Sequence, residues 1–130
     1  MVSAVVDTSA IFALLDADDA HRGAAISAWD SAGEVDLVVH AHVVTESLAL
    51  LRSRLGWQAV VEFVDHLLPS LRSEMVDQEV HDAALAAYRS IGGGTSFVDR
   101  VTIAFAQKHG TARGLAFDAD LEAAGIAPLT

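Results

Sequence analysis

Two kinds of hydrophobic pattern alternate along the chain: short apolar runs, and longer stretches in which apolar residues recur every three or four positions. Val2 to Val6 (VSAVV) is a β-branched run that ends at Asp7 and predicts a buried strand. Asp7-Thr8-Ser9 then offers capping side chains ahead of AIFALL, which predicts a first helix. The acidic segment Asp16 to Asp19 breaks that pattern. Ala25, Ile26 and Trp29 mark a second helix from about Ala20 to Ser31. Asp36 to His40 (DLVVH) reads as a second strand. Val44, Leu48, Leu51 and Leu55 stripe a long helix that Gly56 stops, and Val60, Phe63, Val64 and Leu67 stripe another that Pro69 limits.

Leu71 to Val76 predicts a short strand. Val80, Ala84, Ala87, Tyr88 and Ile91 predict an amphipathic helix, closed by the flexible break Gly92-Gly93-Gly94. Thr95 or Ser96 can cap the next helix, whose stripe of Phe97, Val101, Ala104 and Phe105 runs toward Gly110. Leu115 to Phe117 is a strand tip ending at Asp118, and Asp120 to Ala124 begins a last short helix. Strands and helices alternating at these lengths argue for an α/β fold, a parallel sheet covered by helices. No repeat, linker or low-complexity tract interrupts the pattern, so residues 1–130 are read as one domain.

Composition changes this picture in three ways. The chain is 52% hydrophobic but only 6% aromatic, so Ala, Val and Leu must fill its core, and the apolar content argues against disorder. The absence of cysteine removes disulfides, thiolate metal sites and thiol nucleophiles together. The opening has no basic region ahead of its apolar run, and no stretch approaches the roughly 20 apolar residues of a membrane span, so a cytoplasmic protein without membrane contact is expected. The net charge of −10, with only 8 Lys and Arg, is unusual for a binder of nucleic acid. Such a substrate requires bound cations that invert the charge at one site.

The acids are therefore the candidate chemistry. Asp7 and Asp118 each follow a predicted strand, and ligands of open parallel sheets bind outside the carboxyl ends of the strands. Asp at such a junction is also an ordinary helix cap, so neither residue alone implies function. Glu46 sits in an early turn of its helix, off the apolar stripe, where a helix N-terminus also welcomes a carboxylate. Asp99 interrupts the apolar segment SFVDRVTIAFA, where a charge is costly unless it is paired or metal-bound. If the four converge, their repulsion demands a cation, and an all-oxygen donor set suits Mg²⁺ or Mn²⁺ better than zinc.

Four segments carry a resemblance: VVDTSAIFALLDADDAH, VVTESLALLRSRLG, SFVDRVTIAFAQKHG and LAFDADLEAAGI. In order and spacing they resemble the PIN-domain ribonucleases of the VapC toxin type, from Val5 to Ile126. The resemblance implies a PIN-like three-layer fold, with a central parallel β-sheet flanked by α-helices. It also implies an acidic pocket for one or two Mg²⁺ or Mn²⁺ ions. Its acids fall on Asp7, Glu46, Asp99 and Asp118, with Ser9 orienting Asp7 or a bound water, and Asp120 as an extra ligand or an exposed helix residue. The implied activity is a Mg²⁺-dependent endoribonuclease, the toxin of a toxin–antitoxin pair. Its implied partners are an RNA substrate (tRNA or rRNA), a cognate antitoxin and a second copy in a homodimer. Two departures stand out. Ala116 occupies a place where Thr or Ser is usual, and His40, where proline is frequent, reads as local variation.

Blander readings attach to the remaining polar and aromatic residues. The six His are dispersed, with only a weak zinc case at His40 and His42. Trp29 and Trp57 read as partly buried packing residues, and Arg100 as a phosphate contact or a surface ion pair. A catalytically silent PIN-like protein-binding module is the main alternative. A phosphoryl-accepting Asp protein fits poorly, because TSA follows Asp7 and the sole lysine, Lys108, lies at a helix end.

Overall fold

The computed structural model describes residues 3–129, so Val2, read as the start of the first strand, lies outside the described residues. Five strands form one sheet in the order β3-β2-β1-β4-β5. They are β1 (Ser3–Val6), β2 (Asp36–His40), β3 (Arg72–Glu74), β4 (Arg113–Leu115) and β5 (Ala127–Pro128). Every neighbouring pair is parallel, with Ala4 opposite Leu37, Val38 opposite Arg72 and Val6 opposite Leu115.

Alternation along the two central strands builds both cores. Ala4, Val6, Leu37 and Val39 point to one face and pack with residues of α1 (Thr8–Leu15), α2 (Arg22–Ser31), α3 (Ala41–Leu55) and α4 (Trp57–Glu62). Val5 and Val38 point to the other, against α5 (Gln78–Ile91), α6 (Phe97–His109) and α7 (Ala119–Ala123). The result is a three-layer α/β architecture, a parallel sheet with helices on both faces.

Side-chain caps set the helix starts. Asp77 accepts from the Val80 N–H, and Ser96 from the Asp99 N–H. Gly110 ends α6 in the left-handed conformation at φ 67°, which only glycine adopts without strain. His40 is the cap of α3: it is 1% exposed, and its ring accepts from the Val43 N–H. Its imidazole is thus part of the buried structure.

Several boundaries differ from the sequence reading. β4 covers Arg113–Leu115 rather than Leu115 to Phe117, because the Phe117 N–H leaves the ladder to donate to the Ser9 hydroxyl, which sets Phe117 on the wall of the acid pocket. β3 is confined to Arg72–Glu74 within the expected Leu71 to Val76. β5, unforeseen, is a two-residue edge strand containing Pro128. The helix read through Val60 to Leu67 changes form, passing from α4 into a π-helical turn at Phe63–Leu67 and a 3₁₀ turn at Leu68–Ser70. Trp29 packs against the core, but Trp57 does not: it is 63% exposed, with the Arg52 guanidinium 5.6 Å from its ring centre. Among the described residues no helix is long and apolar enough to cross a membrane.

Candidate metal centre

The topology reverses between β1 and β4. From β1 the chain builds outward through β2 and β3, then returns to place β4 on the other side of β1. At that crevice the Asp7 N–H donates to the Leu115 carbonyl at 3.0 Å, so the end of β1 is fastened to the end of β4. Asp7 follows β1 directly, and Asp118 caps α7 three residues beyond β4, accepting from the Asp120 N–H at 2.8 Å. Asp99 enters from the first turn of α6. Asp7, Asp99 and Asp118 each offer a carboxylate oxygen within 4.8 Å of the other two.

The environment of this trio is costly for bare charge. Asp7 is 3% exposed. Burial raises its pKa, against the lowering effect of the Ser9 hydroxyl, and Asp118 adds repulsion. Burial pushes Asp99 further, up to about 8, helped by a hydrogen bond shared with Asp118 and by the charges of Asp7 and Asp118. One oxygen of Asp7, Oδ1, is buried with no hydrogen-bond partner among the described residues. An orphaned oxygen on a carboxylate gathered with two more fits a hard divalent cation, which would supply the missing partner and neutralise the repulsion.

Ser9 sits beside the trio. Its hydroxyl donates to Asp7 Oδ2 at 3.1 Å and accepts from the Phe117 N–H at 2.9 Å, which bridges α1 to the segment after β4. Ala116 packs against the core cluster that contains Val5 and Val38.

Glu46 is placed differently. It lines the same pocket of about 320 Å³ as Asp7, Ser9, Asp99 and Asp118, but stands outside the close trio. Asp120 is exposed and accepts from the Thr95 hydroxyl at 3.1 Å, away from that group. Arg100 does not line the pocket, and its half-buried side chain has no ion-pair partner among the described residues. Among the described residues the His40–His42 pair belongs to no metal-binding group, and His40 spends both ring nitrogens on hydrogen bonds.

Several pocket residues, among them His21, Phe117 and Arg54, were not read as site residues from the sequence. The His21 ring stacks on Phe117 with centres 4.7 Å apart and planes 6° from parallel. Arg54 reaches the wall from the last turn of α3, its guanidinium 5.8 Å from the Phe12 ring centre. They come from separate segments, and only the faint fourfold spacing of Glu46, Leu50 and Arg54 on one helix face could have flagged any of them.

A carboxylate cluster at the switch point of a β3-β2-β1-β4-β5 parallel sheet defines a class, and the family comparison agrees with it. The PIN domain family model matches residues 4–127, so the chain belongs to the PIN-domain family. Among solved structures it is similar to the sarcin–ricin loop cleaving toxin VapC20 of Mycobacterium tuberculosis. The identity is 34%, 95% of each chain is covered, and the TM-score is 0.85. FitAcB from Neisseria gonorrhoeae (18% identity, 100% of this chain and 97% of that one, TM-score 0.70) shares the fold. So does PAE2754 from Pyrobaculum aerophilum (21% identity, 98% and 90%, TM-score 0.66). No curated protein sequence matches the chain.

Proposed function

We propose that this protein is a divalent-metal-dependent endoribonuclease, the toxin of a VapBC-type pair, acting on RNA in the cytoplasm. The observation that carries the reading is the convergence of Asp7, Asp99 and Asp118 within 4.8 Å, with Asp7 Oδ1 buried and unpartnered. Family membership and the likeness to a toxin that cleaves the sarcin–ricin loop support it.

In this reading Asp7, Asp99 and Asp118 hold Mg²⁺, with Mn²⁺ able to substitute, and Glu46 acts from the pocket wall. When bound, the ion supplies Lewis-acid polarisation of the phosphodiester and acidifies the attacking water. Ser9 favours the ionised form of Asp7 and aims it by donating to Oδ2, while Oδ1 has no partner among the described residues. Asp118 is held by the Asp120 N–H, and the first turn of α6 fixes Asp99. The site's charge is negative until a cation enters, so an anionic substrate binds productively only to the loaded protein. A cognate antitoxin and a second copy of the chain are the proposed protein partners.

The test is cleavage of a sarcin–ricin loop RNA and of total tRNA by purified protein with Mg²⁺, with Mn²⁺ and with chelator. Wild type should cut one of them only with metal, and Asp7→Asn should be inactive yet folded. Cutting that survives in Asp7→Asn, or no cutting and no Mn²⁺ binding by wild type, overturns the reading. The second outcome would instead describe a silent binding module.

A further inference from the structure

Glu46, Leu50 and Arg54 recur at every fourth position of α3, and all three line the acid pocket. That spacing sets them in one row along the helix, with about 12 Å of helix axis between the first and the last. Five carboxylates line this pocket, those of Asp7, Asp19, Glu46, Asp99 and Asp118, yet Arg54 pairs with none of them. Its guanidinium lies beside the Phe12 ring instead. Arg54 is also the only residue of the lining with a permanent positive charge, in a chain whose net charge is −10.

A polyanionic strand meets a difficulty in such a pocket. A cation among Asp7, Asp99 and Asp118 neutralises the wall at one point and can hold one phosphate. The adjoining nucleotides still run past Glu46 and Asp19. A second positive group at a distance from the first would hold the strand in register. A guanidinium is suited to the task, because its planar fork matches two phosphate oxygens and resting on a ring leaves its N–H groups free.

We propose that Arg54 is a substrate anchor, binding a backbone phosphate that neighbours the scissile one on the same RNA strand. This rests on the reading of the pocket as a ribonuclease site. The guanidinium lies 5.8 Å from the Phe12 ring centre and makes no ion pair with Glu46. The stacked His21 and Phe117 rings stand elsewhere on the lining, where the strand has a flat surface to pass.

The experiment is steady-state cleavage of whichever RNA the wild type cuts, across a KCl series, by wild type, Arg54→Gln and Arg54→Lys. Thermal melts with and without Mn²⁺ accompany it. Arg54→Gln should raise KM on the order of tenfold, with kcat nearly unchanged. The slope of log(kcat/KM) against log[KCl] should become shallower by about 0.7, the value for one phosphate contact on a single strand. Arg54→Lys should restore that slope, and the Mn²⁺-induced melting shift should be the same in all three. An Arg54→Gln enzyme with wild-type KM and slope overturns the anchor, as does an Arg54→Lys enzyme that behaves like Arg54→Gln. If the wild type cuts no RNA, the ribonuclease reading falls and takes the anchor with it. Wild-type cleavage that is indifferent to Arg54 sinks the anchor alone.

Discussion

His40 Nε2 and Thr102 Oγ1 lie 2.7 Å apart in the protein interior, tying the residue that caps α3 to the second turn of α6. Because Nδ1 accepts from the Val43 N–H, the ring proton sits on Nε2 and is donated to Thr102. The Thr102 hydroxyl in turn donates to the Val98 carbonyl at 3.1 Å. This chain of bonds is complete only with a neutral imidazole. It fixes the helix carrying Glu46 against the helix carrying Asp99.

Stability should therefore depend on pH through His40. Burial holds its pKa down to about 3, with the neighbouring His42 adding to the effect, whereas the unfolded ring keeps its ordinary 6.5. Between those values the unfolded chain binds the extra proton. Stability is thus full above pH 6.5 and is lost as pH falls toward 3, at up to about 1.4 kcal/mol per pH unit from this group. Urea midpoints at pH 7 and pH 5 should fall more steeply for wild type than for His40→Gln. Parallel decline in the two proteins would refute the assignment.

The clustered acids should make the metal-free protein less stable than it could be. Asp99 has a folded pKa of about 8, above its ordinary 3.8, so its contribution is present at low pH and is lost as pH rises through 8. Asp99→Asn carries no such loss. In chelator at pH 9 it should melt above wild type by on the order of 5 °C. Saturating Mn²⁺ should close the gap by raising the wild type alone, by about 2.7 kcal/mol at a hundredfold excess over Kd. A mutant that melts at or below wild type in chelator would contradict this.

Glu46 should behave unlike the close trio. Standing on the wall outside the 4.8 Å group, it is placed to orient rather than to hold the ion. Glu46→Gln is expected to reduce cleavage about 10- to 100-fold while weakening Mn²⁺ less than Asp7→Asn or Asp118→Asn does. Calorimetric titration of the three variants with Mn²⁺ decides the order, and equal weakening would return Glu46 to the ligand set.

Much of this architecture was legible because each cue was local. A β-branched run before Asp7, helical spacing through Leu48, Leu51 and Leu55, and glycine after each long helix all depend on neighbours in sequence. What escaped depends on contacts between distant segments. Phe117 reads as a strand residue until its N–H is seen to reach Ser9, which pulls it out of the ladder. β5 is two residues long and has meaning only beside β4. Trp57 looks like a packing residue by composition, yet it follows Gly56 onto an outward turn. Likewise the division of four acids into a close trio and an outlying Glu46 is set by how α3 and α6 pack, which no spacing encodes.

Gly114 should tolerate no side chain. A Cβ there would lie 2.7 Å from Ile126 Cγ2 and 3.3 Å from Val5 Cγ2, inside the core between β1 and the segment that follows α7. Gly114→Ala should cost about 1–3 kcal/mol and lower the melting temperature accordingly. By shifting β4, it should also weaken Mn²⁺ binding although Gly114 touches no carboxylate. An Ala variant with wild-type melting and metal affinity would show that the sheet yields at this point.

The pairing of β1 with β4 joins the first strand of the chain to one made more than a hundred residues later. During synthesis, Asp7 and Glu46 emerge from the ribosome well before Asp99 and Asp118 exist. A growing polypeptide thus cannot close the carboxylate trio until Asp118 has been added. For a protein proposed to cut RNA, that delay shields the machine assembling it.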